Sequence, residues 1–193
     1  MLREDIAVSL ALGIDYAALR GPGTGSDPTG VKATSGIGAV AAGTNGAAPT
    51  WADIVNLEAE VGVDNGLMGS LAYLTSSKGM SKMKQIEAAT NTAVFLWANG
   101  SIPGQGMVNG YPAHTSNQIP TNITKASSTA TLTELYFGNW ADIIIAQWGG
   151  LKLQVNPYIL DKEGLIRIVG QIFVDVGIRH AESFALMPDL DPA

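Results

Sequence analysis

Residues 165–178 read LIRIVGQIFVDVGI, and this stretch decides the fold class. Ile166, Ile168, Ile172, Val174, Val176 and Ile178 fall at even positions. Arg167, Gln171, Asp175 and Arg179 fall at odd ones, interrupted by Leu165, Val169 and Phe173. Strand side chains alternate between two faces, so a period of two over a dozen residues predicts a long half-buried strand, or two joined by a glycine kink. A helix would repeat its apolar residues at steps of three and four. Upstream, Leu151, Leu153 and Val155 alternate with Lys152, Gln154 and Asn156 in the same way. Leu132–Phe137 and Asp142–Ala146 read as further strands. Ser183–Met187 reads as a last strand before a frayed tail that starts at Pro188 and carries Asp189 and Asp191.

Helical signals lie in the first half. From Met1 to Leu19, Ile6, Leu10, Ile14 and Ala17 or Ala18 recur at helical steps, and Gly21-Pro22 is a stop signal. Residues 21–50 hold eight glycines and three prolines and read as a long loop with one short strand at Gly36–Val40. Thr50-Trp51-Ala52-Asp53 is a helix start, a threonine cap with an acid three residues on. Ile54, Leu57 and Val61 form the buried stripe of the helix that follows. Asn65-Gly66 is a turn, Leu67–Leu74 a strand, and Ser76 or Ser77 caps a short helix over 78–89. Thr92–Trp97 (TAVFLW) is β-prone. Asn99-Gly100 and Asn109-Gly110 are hairpin dipeptides flanking a flexible tip, SIPGQGMV. Tyr111–Ser116 reads as a strand and residues 117–130 as irregular. The elements sum to an α+β architecture with two or three helices and a mixed or antiparallel sheet system.

Composition narrows the function classes. The chain has 193 residues, 46% hydrophobic and 15% charged, which excludes a disordered tail or a solvated coiled coil. Net charge is −6 and the isoelectric point about 4.7, a poor match to phosphate backbones. There is no cysteine, so thiolate metal sites and cysteine nucleophiles are excluded. No run of about 18 apolar residues predicts a membrane-spanning helix.

Few residues offer chemistry. The only histidines are His114 and His180. His114 sits beside Thr115, Ser116 and Asn117, so Ser116 with His114 is the one candidate hydrolase pair, and sequence adjacency does not make a triad. His180 reads as a surface or interface histidine. Gly21-Pro22-Gly23-Thr24-Gly25 lacks the third glycine of a dinucleotide loop, and the Gly25–Gly30 gap is followed by Val31-Lys32 where a triphosphate loop needs Lys and then Ser or Thr. Both read as turns. A phosphate or sugar module built on 21–50 is the ligand-binding alternative. Lys78, Lys82 and Lys84 form the one basic cluster and read as a solvated helix face. Asn99-Gly100-Ser101 and Asn122-Ile123-Thr124 match glycan acceptors, with nothing to suggest secretion. Trp51, Trp97, Trp140 and Trp148 read as core or interface anchors. No catalytic, cofactor-binding or metal-ligating residue emerges.

The order of five passages resembles the major capsid proteins of tailed phages, the Hong Kong 97-type fold. They are ALRGPGTGSDPTGV (18–31) after a helix end, TWADI (50–54), the strand–helix passage from Leu67 to Ala89 leading into TAVFLW, VNGYP (108–112), and FGNWADIIIAQWGGLKLQV (137–155). The closing SFALM also fits. The resemblance implies an axial domain at 50–135 and a peripheral domain made of 1–49 and 136–193, with the loop near Ser101–Val108 in the axial one. It implies a shell subunit that associates with itself into pentamers or hexamers around a viral genome. Portal or scaffold proteins are the further partners, packaged DNA is touched only loosely, and no membrane is involved. It implies a virion location after synthesis in a bacterial host cytoplasm, and no enzyme or cofactor. An encapsulin-like cargo shell is the close variant. Family members carry an N-terminal arm, an extended hairpin loop and the start of a spine helix ahead of the point matching Met1, so the chain reads as the C-terminal two-thirds of a subunit. Some relatives join subunits by a Lys–Asn isopeptide aided by a glutamate. The corresponding strand here shows Gln171 and Ile172 with no glutamate before Glu182, and that chemistry is not expected.

Overall fold

The structure, a computed structural model, describes residues 2–100, 106–159 and 161–193. Its helices are α1 (Leu2–Arg20), α2 (Trp51–Val63) and α3 (Ser77–Met83). Its strands are β1 (Gly38–Ala39), β2 (Leu71–Thr75), β3 (Ala98–Asn99), β4 (Gly106–Val108), β5 (Tyr111–Thr115), β6 (Ile123–Lys125), β7 (Ser128–Asn139), β8 (Ile143–Asn156), β9 (Arg167–Ile178) and β10 (Phe184–Leu190). The α+β expectation holds. The contacts divide the chain into two compact units, Met1–Ala33 with Ile144–Gly177, and Thr34–Ile143 with Ile178–Ala193.

The second unit, here the sheet unit, is built on β7. It pairs antiparallel with β10 on one side and β2 on the other, and the full order is β1-β10-β7-β2-β5-β4-β3, with β6 also on β7. β2 and β5 run parallel, so the sheet is mixed. Thr50 starts α2 with a reciprocal cap: its hydroxyl accepts from the Asp53 N–H at 3.3 Å, and the Asp53 carboxylate accepts from the Thr50 N–H at 2.9 Å. The stripe Ile54, Leu57 and Val61 is fully buried, and α2 packs on β10, β1 and β7. Tyr73, Phe137 and Tyr111 stack under it, with the first two ring centroids 4.4 Å apart and the last two 5.2 Å apart. Asn109 (φ 51°) and Gly110 (φ 81°) turn β4 into β5, the left-handed pair that a tight hairpin demands.

The first unit, here the ribbon unit, holds α1, residues 21–33 of the glycine-rich segment and nearly all of the two-stranded sheet β8–β9. Along β9 the even positions from Ile168 to Ile178 are half-buried or buried, and the odd ones are exposed except Val169. That is the alternation read from the sequence.

Several local expectations are corrected. β8 runs unbroken through Gly149-Gly150, where two strands were expected, because Gly149 takes φ +72° within the strand. TAVFLW is not a strand. Only Phe95 bridges, to Glu87, and the neighbours Leu96 and Trp97 are both buried, which alternation forbids. Their N–H groups donate to Ile86 O and Met83 O, so the segment folds back over the end of α3, which stops at Met83 instead of running to 89. Strand β2 starts at Leu71, because Gly69 turns the chain at φ +81°. Residues 117–130 contain β6 and the start of β7, joined through Ala126 at φ +51°. The tail after Pro188 is not frayed. β10 continues to Leu190, Asp191 donates its N–H to Ala47 O, and Asp189 is fully buried. The tip at 101–105 lies outside the described residues.

Candidate self-association surfaces

The buried hydrophobic cluster lies wholly in the sheet unit. It runs from Val40 through α2 and the sheet to Leu190. In the ribbon unit the fully described buried apolar residues are Ala18, Leu19, Val31 and Val176. The same unit exposes Ile144, Ile145, Trp148, Leu153, Val155, Tyr158, Ile159, Leu165, Ile166 and Phe173. Trp148 is 59% exposed, Phe173 62% and Tyr158 84%. Scattered surface hydrophobics need no explanation, but six large ones on β8 and β9 (Ile144, Ile145, Trp148, Leu153, Val155 and Phe173) with four more on the connection between the strands mark an interaction surface.

Helix α1 tells the same story. Ile6, Leu10, Ile14 and Ala17 are half-buried and Ala18 and Leu19 buried, so the expected stripe faces inward. Val8, Leu12 and Tyr16 form a second stripe at steps of four, two residues out of phase and so on nearly the opposite side. They are exposed, at 59%, 47% and 48%. A helix apolar on two sides is one that gets packed on two sides. Steps of four from Val8 carry its signal in the sequence.

The glycine-rich segment bonds back on its own chain at several points. The Gly21 N–H donates to Ala17 O, Gly23 N–H to Pro28 O, Gly30 N–H to Gly21 O and Asp27 N–H to Thr24 O. Pro22 and Thr29 form an antiparallel bridge, and Gly23 and Gly25 take φ +65°. Further along, the Ala42 and Gly43 N–H groups donate to the buried Asp189 carboxylate at 2.9 and 3.3 Å, and Lys125 Nζ sits 2.5 Å from that carboxylate. These donors of the loop are spent on its own chain. The Lys125–Asp189 pair gave no signal in the sequence, since its members are 64 residues apart.

The other candidates are dispersed. The Ser116 hydroxyl oxygen accepts from the Gln118 N–H at 3.2 Å, not from His114, which lies exposed on β5. Lys78 and Lys84 are exposed, and Lys82 Nζ donates to Ala193 O. Trp97 is buried, Trp140 donates its indole N–H to Ala72 O at 2.9 Å, and Trp51 and Trp148 are exposed. Among the described residues no group of three or more His, Asp or Glu is placed to hold a metal ion, and no helix is long and apolar enough to cross a membrane.

One polar cluster stands out in the sheet unit. Asp142 is buried, accepts from Asn139 Nδ2 at 2.9 Å, and lies 3.3 Å from His180 Nδ1. Burial pushes the Asp142 carboxyl up, but hydrogen bonds from Ser183, His180 and Asn139 outweigh it and hold the group below the usual carboxylate range. Elsewhere Glu58 accepts from Tyr111 Oη at 2.8 Å and from Asn109 Nδ2, which fixes the β4–β5 turn on α2. That bond, and then burial, raises the Tyr111 phenol above its ordinary value.

Residues 1–189 match the phage capsid family. The chain belongs to that family. It is 31% identical over 188 residues to the major capsid protein of Halomonas phage phiHAP-1, covering 96% of this chain and 28% of that protein. The chain therefore spans little more than a quarter of the length of that relative. Among solved structures it is similar to the capsid of an empty GTA particle, with a TM-score of 0.66 at 20% identity, over 98% of this chain and 65% of that one. It is equally similar to the holo-SrpI encapsulin complex from Synechococcus elongatus, with a TM-score of 0.66 at 14% identity, over 100% of this chain and 67% of that one. These likenesses establish the fold, the Hong Kong 97 type that the ordered passages of this capsid-family chain implied.

Proposed function

We propose that this chain is the shell subunit of a phage or prophage capsid, associating with its own copies into pentamers or hexamers that enclose a genome. The observation that carries the reading is the unequal burial of the two units: a closed core in one, and an apolar two-stranded sheet and a second α1 stripe left open in the other. Shell interfaces of this obligate kind bury on the order of 2,000 Å² or more and are largely apolar. A mean hydropathy of +0.18 fits a chain whose apolar surface exceeds its own core. The family match and the phage relative favour a phage capsid over an encapsulin-like cargo shell, which shares only the fold.

In this reading the sheet unit takes the axial role first assigned to 50–135, joined by the segments that pair with it, and the ribbon unit takes the peripheral role. The subunit acts by burial and shape and not by catalysis; Ser116 and His114 have no part in it. A net charge of −6 suits a wall that touches packaged DNA loosely. The protein is made in the host cytoplasm and resides in the virion, with portal and scaffold proteins as further partners. Light scattering across a size-exclusion peak, over a range of concentrations, tests the reading. A mass of five or six 20.1 kDa chains, or of a shell, supports it. A constant monomer mass, in this chain and in one extended to the length of its relatives, overturns it.

A further inference from the structure

The sheet unit is interrupted once, where the chain leaves it after Ile143 and returns at Ile178. Beside the pairing of β8 with β9, the two ends are tied together by residues of the sheet unit. The Arg179 N–H donates to Asp142 O at 2.9 Å, and His180 Nδ1 lies 3.3 Å from Asp142 Oδ1. Asp142 is fixed in turn by Asn139, whose Oδ1 accepts from the Ser70 and Ala141 N–H groups at 2.9 and 3.2 Å. One partner of the tie is therefore rigid and buried, while the His180 side chain is 59% exposed and open to solvent protons. A cleft of about 670 Å³ adjoins the pair. The charged groups that line it are Asp64 from the end of α2, Asp142, Arg179 and Glu182.

We propose that His180 and Asp142 form a proton-operated latch at the root of the ribbon, which pins the outgoing and returning segments together when the imidazole is charged and relaxes when it is neutral. A histidine changes charge between about pH 5 and 8, so the latch tightens toward the acid side of that window. Below it, protonation of the Asp142 carboxyl releases the pair again. The latch belongs to the monomer and does not rest on shell assembly.

The test is amide hydrogen exchange on the full chain, read at Arg179 and corrected for the intrinsic dependence on pH. Protection of that amide rises roughly two- to fivefold between about pH 8 and 5.5, the range expected of a partly exposed ion pair. His180→Gln keeps a polar side chain and loses the titration, so its profile is flat with the fold intact. A second readout does not depend on the fold of a variant: the imidazole of His180, one of two in the chain, titrates in NMR spectra at higher pH than in Asp142→Asn. A flat profile in the unaltered chain, the same slope in His180→Gln, or an imidazole indifferent to Asp142→Asn overturns the latch.

Discussion

The sheet unit and the ribbon unit are made from similar residues and use them differently. In the sheet unit every large apolar side chain of α2's inner stripe and of β7's core face finds a partner within the chain, and Tyr73, Leu135 and Phe137 are fully buried. In the ribbon unit β9 buries only every second residue, whereas β7 is buried without a break from Leu132 to Asn139, and Phe173 on β9 and Leu165 just before it stay in water. The difference is layers. A sheet face is buried only when a second layer covers it. The sheet unit has α2 and α3 for that purpose, whereas in the ribbon unit α1 reaches the half-buried side of β9, where Ile6 and Leu10 sit against Gly170, and the side that carries Phe173 has no second layer. One unit is therefore a fold that closes on itself, and the other a surface that awaits neighbours.

Four substitutions sharpen or break that contrast. Phe137→Ala in the sheet unit removes a buried ring between Tyr73 and Tyr111 and should cost about 3–5 kcal/mol in denaturant unfolding. A cost below about 1 kcal/mol would mean that the closed core is not what holds that unit. Next, Asp189→Ala strips the Ala42 and Gly43 N–H groups of their acceptor and leaves Lys125 without its counter-charge, an expected loss of about 2–4 kcal/mol in the same assay. Lys125 is partly exposed, which places the value toward the lower end. Thr50→Ala removes the reciprocal cap of α2 and should lower stability by about 1 kcal/mol, with Thr50→Ser restoring most of it. The smallest effect on stability belongs to the ribbon. Phe173→Ser should leave monomer unfolding within about 0.5 kcal/mol. The same change should shift the concentration at which higher-mass species form; if both stability and association stay unmoved, Phe173 lies outside the interface.

The sequence announced whatever depends on local chemistry. Thr50 with Asp53, Gly21-Pro22 and Asn109-Gly110 each act within a few residues and each is where the reading places it, and the alternation of 165–178 holds from Arg167 on, with Leu165 and Ile166 exposed ahead of the strand. What it hid depends on distant partners. Asp189 looked like a tail residue because its ligands, Ala42, Gly43 and Lys125, lie 64 or more positions away. The turn at Ala126 uses a positive φ without glycine or asparagine, so no turn dipeptide marks it. TAVFLW has strand composition, but the end of α3 captures its N–H groups first. The association surface was half legible. Helical steps from Ile6 mark the inward stripe of α1, and the outward one, Val8, Leu12 and Tyr16, shows only at steps of four from Val8.

The central claim is that the open apolar surface of the ribbon unit is the surface that associates. Hydroxyl-radical footprinting of Trp148, Tyr158 and Phe173, followed as concentration carries the protein from monomer to higher mass, tests it most directly. The account predicts that all three lose reactivity in step with the rise in mass, while the already buried Tyr73 and Phe137 do not change. Particles that grow while Trp148, Tyr158 and Phe173 remain fully reactive would contradict it.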